Sequence, residues 1–349
     1  MNSIALQDES MPDDLFPFTL TRSAADIRVG ILTIREKWER LFQLSISTGP
    51  VQKGDAPSIP SNLLPTASLA EAIKTEDLKT VAARVGNHER KLKYPWDIVQ
   101  ANAEEIINDF RLLRRERISQ PLSASNRVLA AENIFVEEGA RVEFAVLNAS
   151  AGPIYIGRNS LIMEGALIRG PFALCEGSVV KMGAVVYGAT TIGPFCVVGG
   201  EIKNSVIFGY SNKAHEGYLG DSVIGEWCNL GAGTSNSNLK NNAGEIKVWN
   251  ESKKVFLEAG IKCGLFMGDY SKSAVNTAFN TGTVAGVCCN IFGEGLTPAY
   301  IPSFSWGYRE PPKYKIENAI RDIAQWKKMK NQSLSDGEIR TLKHIFNQP

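Results

Sequence analysis

From Ile156 onward an aliphatic residue recurs at every sixth position: Ile156, Ile162, Ile168, Leu174, Val180, Val186, Ile192 and Val198. Four residues after each stands a mostly small side chain: Ser160, Ala166, Phe172, Ser178, Ala184, Thr190 and Cys196, with Ile202 continuing the row. A residue at i+4 and the next aliphatic residue are two apart, and in an extended strand residues two apart face the same way. Each hexapeptide therefore sends one small and one large side chain inward. Three such strands close a triangular coil of about 18 residues, and stacked coils share one continuous core. The period predicts a left-handed parallel β-helix of hexapeptide repeats, with Ile162, Ile168, Leu174, Val180 and Ile192 buried. A chance aliphatic period in an ordinary sheet would not survive eight consecutive matches.

The period slips after Val198. Asn212 to Gly217 read as an excursion, and register returns through Tyr218-Leu-Gly-Asp221, Ile224-Gly-Glu226 and Leu230-Gly-Ala-Gly233. Such interruptions are where loops leave a solenoid, and loops carry function. A looser run covers Ile261, Met267 and Val275 to Phe292. Beyond Pro312 the pattern turns helical from Ile316 to Met329, and Ser335-x-x-Glu338 reads as a capping box opening a last helix. Before the solenoid the chain reads as α/β. Phe16 to Thr21 is strand-like, Ile27 to Phe42 carries a helical pattern, residues 49–67 form a loop, and Ser68 caps a short helix to about Arg84. A further helix follows Tyr94-Pro-Trp-Asp97, with Val99, Ala103, Ile106, Phe110 and Leu113 at helical spacing. Arg111, Arg114, Arg115 and Arg117 close it, either as a phosphate site or, the stronger reading, as a solvated helix end favoured by the dipole. The expected division is 1–125 as an α/β domain, 126–308 as the β-helix and 309–349 as a helical tail.

Bulk properties exclude several classes. A net charge of +1 over 349 residues gives no electrostatic case for nucleic acid or an anionic membrane. No apolar run approaches a bilayer span. Asp8, Glu9, Asp13 and Asp14 interrupt any secretory signal pattern. The six cysteines show neither disulfide-framework nor zinc spacing and read as small core side chains in a reducing cytoplasm.

Three histidines, His88, His215 and His344, are present, and His215 alone falls in the solenoid, at the excursion. A neutral imidazole suits proton abstraction from an amine near neutral pH. An idle surface histidine is the competing reading from position alone. A metal-dependent hydratase on such a scaffold would need several ligand histidines there, so no metal site is expected.

The residues around His215 carry a resemblance. Lys213-Ala-His215-x-x-Tyr218-Leu-Gly-Asp221, Ile224-Gly, Asn229-Leu-Gly-Ala-Gly-Thr234 and Asn238 resemble the acetyltransferase site of GlmU-type bifunctional enzymes, which N-acetylate glucosamine-1-phosphate and transfer a uridylyl group. The chain is still more similar to the GlmU-like sugar nucleotidyltransferase/acyltransferase variant typical of Bacteroidetes. The shared segments are Phe18-Thr-Leu-Thr-Arg22, Asp26 to Trp38, Tyr94 to Asp97, Gly170 to Ser178, Phe208 to His215 and Phe279 to Thr283. The resemblance implies that His215 is the general base. It makes Lys203 a contact of the sugar phosphate, Tyr218, Asn229 and Asn238 residues of the amino-sugar pocket, and Ala232 part of the acetyl-CoA cleft. No arginine stands where the family binds the sugar phosphate, since Val186 and Tyr187 fall there; Arg169 is the candidate substitute.

The first 125 residues are, by the same resemblance, a reduced nucleotidyltransferase-like domain. It lacks the family's glycine-rich phosphate loop and is short for a complete one. Thr21, Arg22, Arg28 and Lys37 are cations and donors that could meet phosphates there, with Arg22 and Lys37 the candidates; ordinary helix-surface charge is the other reading. The expected activity is acetyl-CoA-dependent N-acetylation of a hexosamine-1-phosphate, with Mg2+ needed only if nucleotidyl transfer is retained. The flat sides of a prism and the resemblance together predict a homotrimer, with the site where two prisms meet. The alternatives are a non-catalytic trimeric protein that binds a sugar nucleotide, or a nucleotidyltransferase with a purely structural β-helix.

Overall fold

The structure is a computed structural model that describes residues 4–8, 12–42, 46–48, 58–66, 69, 71–72, 90–115, 117–309 and 312–348. Of the helix expected from Ser68 only Leu69, Glu71 and Ala72 are described, and they are helical; the rest of it, about half of the 49–67 loop and His88 lie outside the described residues.

From Arg127 to Ile301 short parallel strands stack into a three-sided prism, its sides holding six, nine and eight strands among the described residues. Strand follows strand around the three sides. Leu167–Arg169, Phe172–Leu174 and Val179–Val180 belong to successive sides, and Val185–Val186 returns directly above Leu167 and Ile168. This is the coil the hexapeptide period predicts. Ile162, Ile168, Leu174, Val180 and Ile192 are all 3% exposed or less. Burying each such aliphatic side chain contributes roughly 1.5–3 kcal/mol.

The three sides differ in what covers them. Strands of the nine-stranded side, such as Phe172–Leu174 and Leu265–Met267, are buried on both faces. Their outward residues Val206, Phe208, Val223, Phe266 and Val284 join one core with Leu6, Phe18, Ile27, Ile34 and Trp38 of the N-terminal region. In the upper coils the eight-stranded side and the edge beside it carry the C-terminal helices. By contrast Leu167–Arg169 and Glu201–Lys203 of the six-stranded side alternate exposed, buried, exposed. That side is bare.

The N-terminal region starts with a small parallel sheet, Ile4–Gln7 between Ile46–Thr48 and Ser58–Pro60. Two expectations need correction. Pro12–Leu15 is a short 3-10 helix followed by a turn closed by Phe18 N–H to Leu15 C=O, 3.0 Å, rather than a strand over Phe16 to Thr21. Helix α1 spans Ile34–Phe42, not Ile27 to Phe42. Before it, residues 27–34 fold into a tight loop in which Ile34 N–H donates to Ile27 C=O at 3.1 Å and Gly30 has φ +76°. A Cβ on Gly30 would lie 2.5 Å from Asp109, so both conformation and space demand glycine.

Helix α2, Pro95–Arg114, is opened by the Tyr94-Pro-Trp-Asp97 motif. Pro95 takes the first helical position, and the Asp97 carboxylate accepts from Lys93 N–H at 2.7 Å and Tyr94 N–H at 2.8 Å. Asn102 pins α2 to both neighbours: its amide oxygen accepts from Gly30 N–H, 2.8 Å, and its amide nitrogen donates to Ala189 C=O of the prism, 2.8 Å. Of the arginines closing α2, Arg114 donates to Glu132 C=O at 2.9 Å and Arg117 pairs with Glu137.

Beyond the prism, α3 (Ile316–Met329) and α4 (Asp336–Phe346) form as expected. Ile316, Ala319 and Ile323 make the buried stripe of α3. It docks on a column of corner residues with left-handed backbone, which includes Trp227, Tyr270, Cys288 and Phe304. Rings stack along this corner, Phe195 on Tyr210 at 5.1 Å and Tyr210 on Trp227 at 4.3 Å. The looser run after Leu230 hides an antiparallel hairpin, Lys247–Asn250 with Val255–Glu258, which leaves the prism to meet the N-terminal region. Asn250 donates to Asp14 at 2.8 Å there.

Candidate active site

The excursion is narrower than its sequence suggests. Asn212 and Lys213 stay in the eight-stranded side, paired above Val197 and Val198, and Tyr218 sits above Glu201 on the six-stranded side. Only residues 214–217 leave the ladder, at the corner joining these two sides. His215 stands there, exposed. Ala232 occupies the next corner up: Gly217 lies directly beneath Thr234, where a Cβ on Gly217 would come 2.1 Å from the Thr234 carbonyl oxygen. His215 and Ala232 thus share one edge of the prism.

Next to that edge the six-stranded side gathers the other polar candidates. Lys203, exposed, pairs in register with Gly220, and Tyr187 N–H donates to Ile202 C=O at 2.9 Å, which puts Tyr187 one strand below Lys203. Leu167↔Val185 and Ile168↔Val186 put Arg169 one strand lower again. Strands are about 4.8 Å apart, so Arg169, Tyr187 and Lys203 form one outward column. Arg169 and Lys203 thus lie two strands apart on the same face, with Tyr187 between them.

Tyr218-Leu-Gly-Asp221 has a local logic. The Tyr218 ring lies along its strand over Gly220, where a Cβ would approach the phenol oxygen to 2.2 Å. That reach lets Asn238 donate to the Tyr218 hydroxyl at 3.0 Å while also bonding Asp221. Asp221 accepts from Asn204 at 2.6 Å and is itself buried. Burial, then the nearby Asp221 and Glu201 carboxylates, push the Tyr218 phenol up to about 12, so it stays protonated at neutral pH and keeps its O–H as a hydrogen-bond donor. Asn236, which no motif singled out, brackets the same turn. It accepts from Gly220 N–H at 2.8 Å and donates to Gly220 C=O at 3.0 Å.

Asn229 is elsewhere in the chain. It faces outward from the eight-stranded side, between Asn212 and Lys272. Asn212 donates to it at 3.4 Å and accepts from Lys330 at 3.2 Å. One chain therefore brings together Lys203, Tyr218 and Asn238 beside the His215–Ala232 edge, with Asn229 on the far side of that edge.

The two N-terminal cations fit neither reading made of them. Lys37 is 2% exposed, its ammonium 2.8 Å from Glu105 and 2.5 Å from Asp109. Arg22 pairs with Asp269 and lies 3.2 Å from Glu226, with Thr21 donating to Asp269 at 2.5 Å. Burial works against the Arg22 charge, but Asp269 and Glu226 outweigh it and raise its pKa. These are buried ion pairs that tie the N-terminal region together and to the prism, rather than solvated helix charge or free phosphate donors. Arg28 likewise turns inward to Ile31 C=O. The six cysteines are buried and unpaired. No helix among the described residues is long and apolar enough to cross a membrane.

The fold defines a class: a hexapeptide-repeat parallel β-helix carrying a compact N-terminal α/β region. A family model described as sugar nucleotidyl transferase matches residues 4–83. The bifunctional protein GlmU of Methanocaldococcus jannaschii is 27% identical over 244 residues, 70% of this chain and 53% of that protein. GlmU of Methanococcus maripaludis is 26% identical over 328 residues, 88% of this chain and 70% of that protein. A bifunctional sugar-1-phosphate nucleotidylyltransferase/acetyltransferase of Sulfurisphaera tokodaii is 34% identical over 110 residues, 32% of this chain and 26% of that protein. The acetyltransferase domain of PglB from Neisseria gonorrhoeae is 15% identical and covers 87% of this chain and 95% of its own, but at a TM-score of 0.17 the likeness carries no argument. The chain is similar over most of its length to bifunctional GlmU proteins. It spans about half of the Methanocaldococcus jannaschii relative's length.

Proposed function

We propose that the chain is an acetyl-CoA-dependent N-acetyltransferase acting on a hexosamine-1-phosphate, glucosamine-1-phosphate first among them. The observation that carries the proposal is the edge itself. A solvent-accessible imidazole and a small-residue corner adjoin a column of cations and a fixed Tyr–Asn–Asp cluster. In this reading His215 removes the proton that the sugar amine must lose as it attacks the thioester carbonyl, and passes it to the coenzyme A thiolate that departs as the C–S bond breaks. General-base help of this kind is typically worth about 10² to 10⁴ in rate. Lys203, with Arg169 below it, holds the phosphate by charge. Tyr218 and Asn238 orient the sugar hydroxyls. The tetrahedral oxyanion needs an N–H donor. Tyr218 N–H is taken by Ser235 Oγ at 3.1 Å, which leaves the turn at Ala232 as the better source.

Acetyl-CoA is the cosubstrate, and its cleft is proposed along the Ala232 corner. The bare six-stranded side supports a homotrimer. Leu129, Val146, Leu167 and Tyr187 on it, and Phe144 and Met182 on its edge, are 39–67% exposed. A row of exposed apolar side chains on a flat face marks a contact surface, and a second copy there would close a cleft over His215. A trimer would also let Asn229 of one copy approach the sugar pocket of another. Nucleotidyl transfer, with its Mg2+, is supported by the match over residues 4–83 and finds no support in Arg22 or Lys37.

The test is incubation of the purified chain with acetyl-CoA and a panel of amino-sugar 1-phosphates, with and without nucleoside triphosphates, followed by product masses. A sugar phosphate that gains one acetyl group supports the proposal. Unchanged sugar phosphates throughout the panel contradict it and favour a binding protein.

A further inference from the structure

Lys213 is misplaced by the rules of its own fold. Its position in the coil stack belongs to the inward row, between Val198 below and Leu230 above, and it is 3% exposed. Those two neighbours are aliphatic and fully in the core. An ammonium there gives up hydration, and burial, partly offset by Glu216, pushes it down to about 8. Its hydrogen bond among the described residues runs out of the core to the carbonyl oxygen of His215, at 2.6 Å.

The surroundings are shaped for that bond. Two residues, Gly199 and Gly200, join Val198 to Glu201 in the coil below, whereas four, Ala214 to Gly217, join Lys213 to Tyr218. The longer corner bulges, and ladder bonds from the coil below cannot hold all its carbonyls. Gly200, at φ +72°, leaves the room: a Cβ there would lie 2.7 Å from His215 O, 2.8 Å from Gly217 O and 2.9 Å from Lys213 Nζ.

We propose that Lys213 is a positioning residue, a buried lysine whose ammonium clamps the carbonyl of His215 from inside the prism and so fixes the corner that presents the imidazole to substrate. The inference rests on the acetyl-transfer reading for its catalytic consequence, but the clamp itself is independent of it. A lysine in an aliphatic row lowers stability. If it only filled space, methionine would fill it better.

The experiment compares wild type with Lys213→Met, which keeps length and removes charge, and with Gly200→Ala, which keeps Lys213 and closes its room. Lys213→Met should melt at or above the wild-type temperature, keep KM for the sugar phosphate within about twofold, and lose at least about tenfold in kcat, within the range of a displaced general base. Hydrogen exchange without substrate should show peptides covering 214–217 exchanging at least about tenfold faster in both variants, with neighbouring coils unchanged. Wild-type kcat and unchanged exchange in Lys213→Met would overturn the proposal. So would a melting temperature that falls together with exchange in every coil, which would make Lys213 a general stabiliser. If wild type releases no thiol, the functional reading fails, and the exchange result still decides the clamp.

Discussion

Arg22 shows why charge alone is a poor guide to a phosphate site. Its partners, Asp269 and Glu226, lie more than 200 positions away in the chain, so nothing local in the sequence reveals that the cation is already paired. Lys37 is the same case, matched by Glu105 and Asp109 on α2. Removing one member of a buried pair leaves the other charge uncompensated, at a cost of about 3–5 kcal/mol. Arg22→Met should therefore lower unfolding stability by about that amount in urea titrations, while leaving any affinity for UTP unchanged. Equal stability with lost UTP affinity would restore Arg22 as a nucleotide ligand. Lys213 makes a second, pH-dependent prediction. Its pKa is lower folded, about 8, than unfolded, so the folded state binds fewer protons between that value and the ordinary lysine pKa. Stability then rises with pH across that window as the buried charge is released. Below it the burial penalty is fully present. The difference in stability between Lys213→Met and wild type should shrink from pH 8 towards pH 10.5. A difference independent of pH would contradict the buried charge. That Tyr218 and Asn238 lie together beside the corner of His215 was legible from their motif. That Asn229 lies across the edge from them was not, because spacing within a motif does not tell which side of a prism a residue faces.

At the scale of elements, a period decides far more than composition. The six-residue recurrence specifies strands, coil and core, and the inward row from Ile156 to Val198 appears in the structure residue for residue. Val180→Asp places an unpaired carboxylate at 0% exposure between Ile162 and Val198. It should abolish the cooperative unfolding transition and the β-sheet circular dichroism of the solenoid; a folded variant with native spectrum would show the row is not core. Elements outside the period were read less well, for identifiable reasons. α1 begins late because Gly30 bends the chain back under Asp109. The 247–258 hairpin was missed because its turn contains no glycine or proline and its strands interrupt a coil. The C-terminal helices were legible by spacing and cap, but their dock was not. It is built from aromatic residues at corners with positive φ, positions where glycine or asparagine would be expected. Trp227, 6% exposed beneath Lys327, anchors it. Trp227→Ala should cost about 3–5 kcal/mol and expose 316–346 to limited proteolysis while the prism stays intact. Resistance equal to wild type would place the helix dock elsewhere.

Among the described residues the molecule is a prism with one side sealed by the N-terminal region, one partly covered by helices, and one left open beside the His215 edge. This asymmetry ties fold to proposed function, since the uncovered side is also where the polar candidates collect. Light scattering at micromolar concentration should give three times the 38.1 kDa chain mass, whereas a stable monomer would leave the cleft open and weaken the proposed site. The central claim, that His215 is the base of an acetyl transfer, has a direct measurement. Thiol release from acetyl-CoA with glucosamine-1-phosphate is followed for wild type and for His215→Ala, each shown to have the same assembly state and melting temperature. Loss of a general base predicts a fall in kcat of about 10² to 10⁴, with KM for both substrates little changed. A His215→Ala protein that turns over at near wild-type kcat would contradict it.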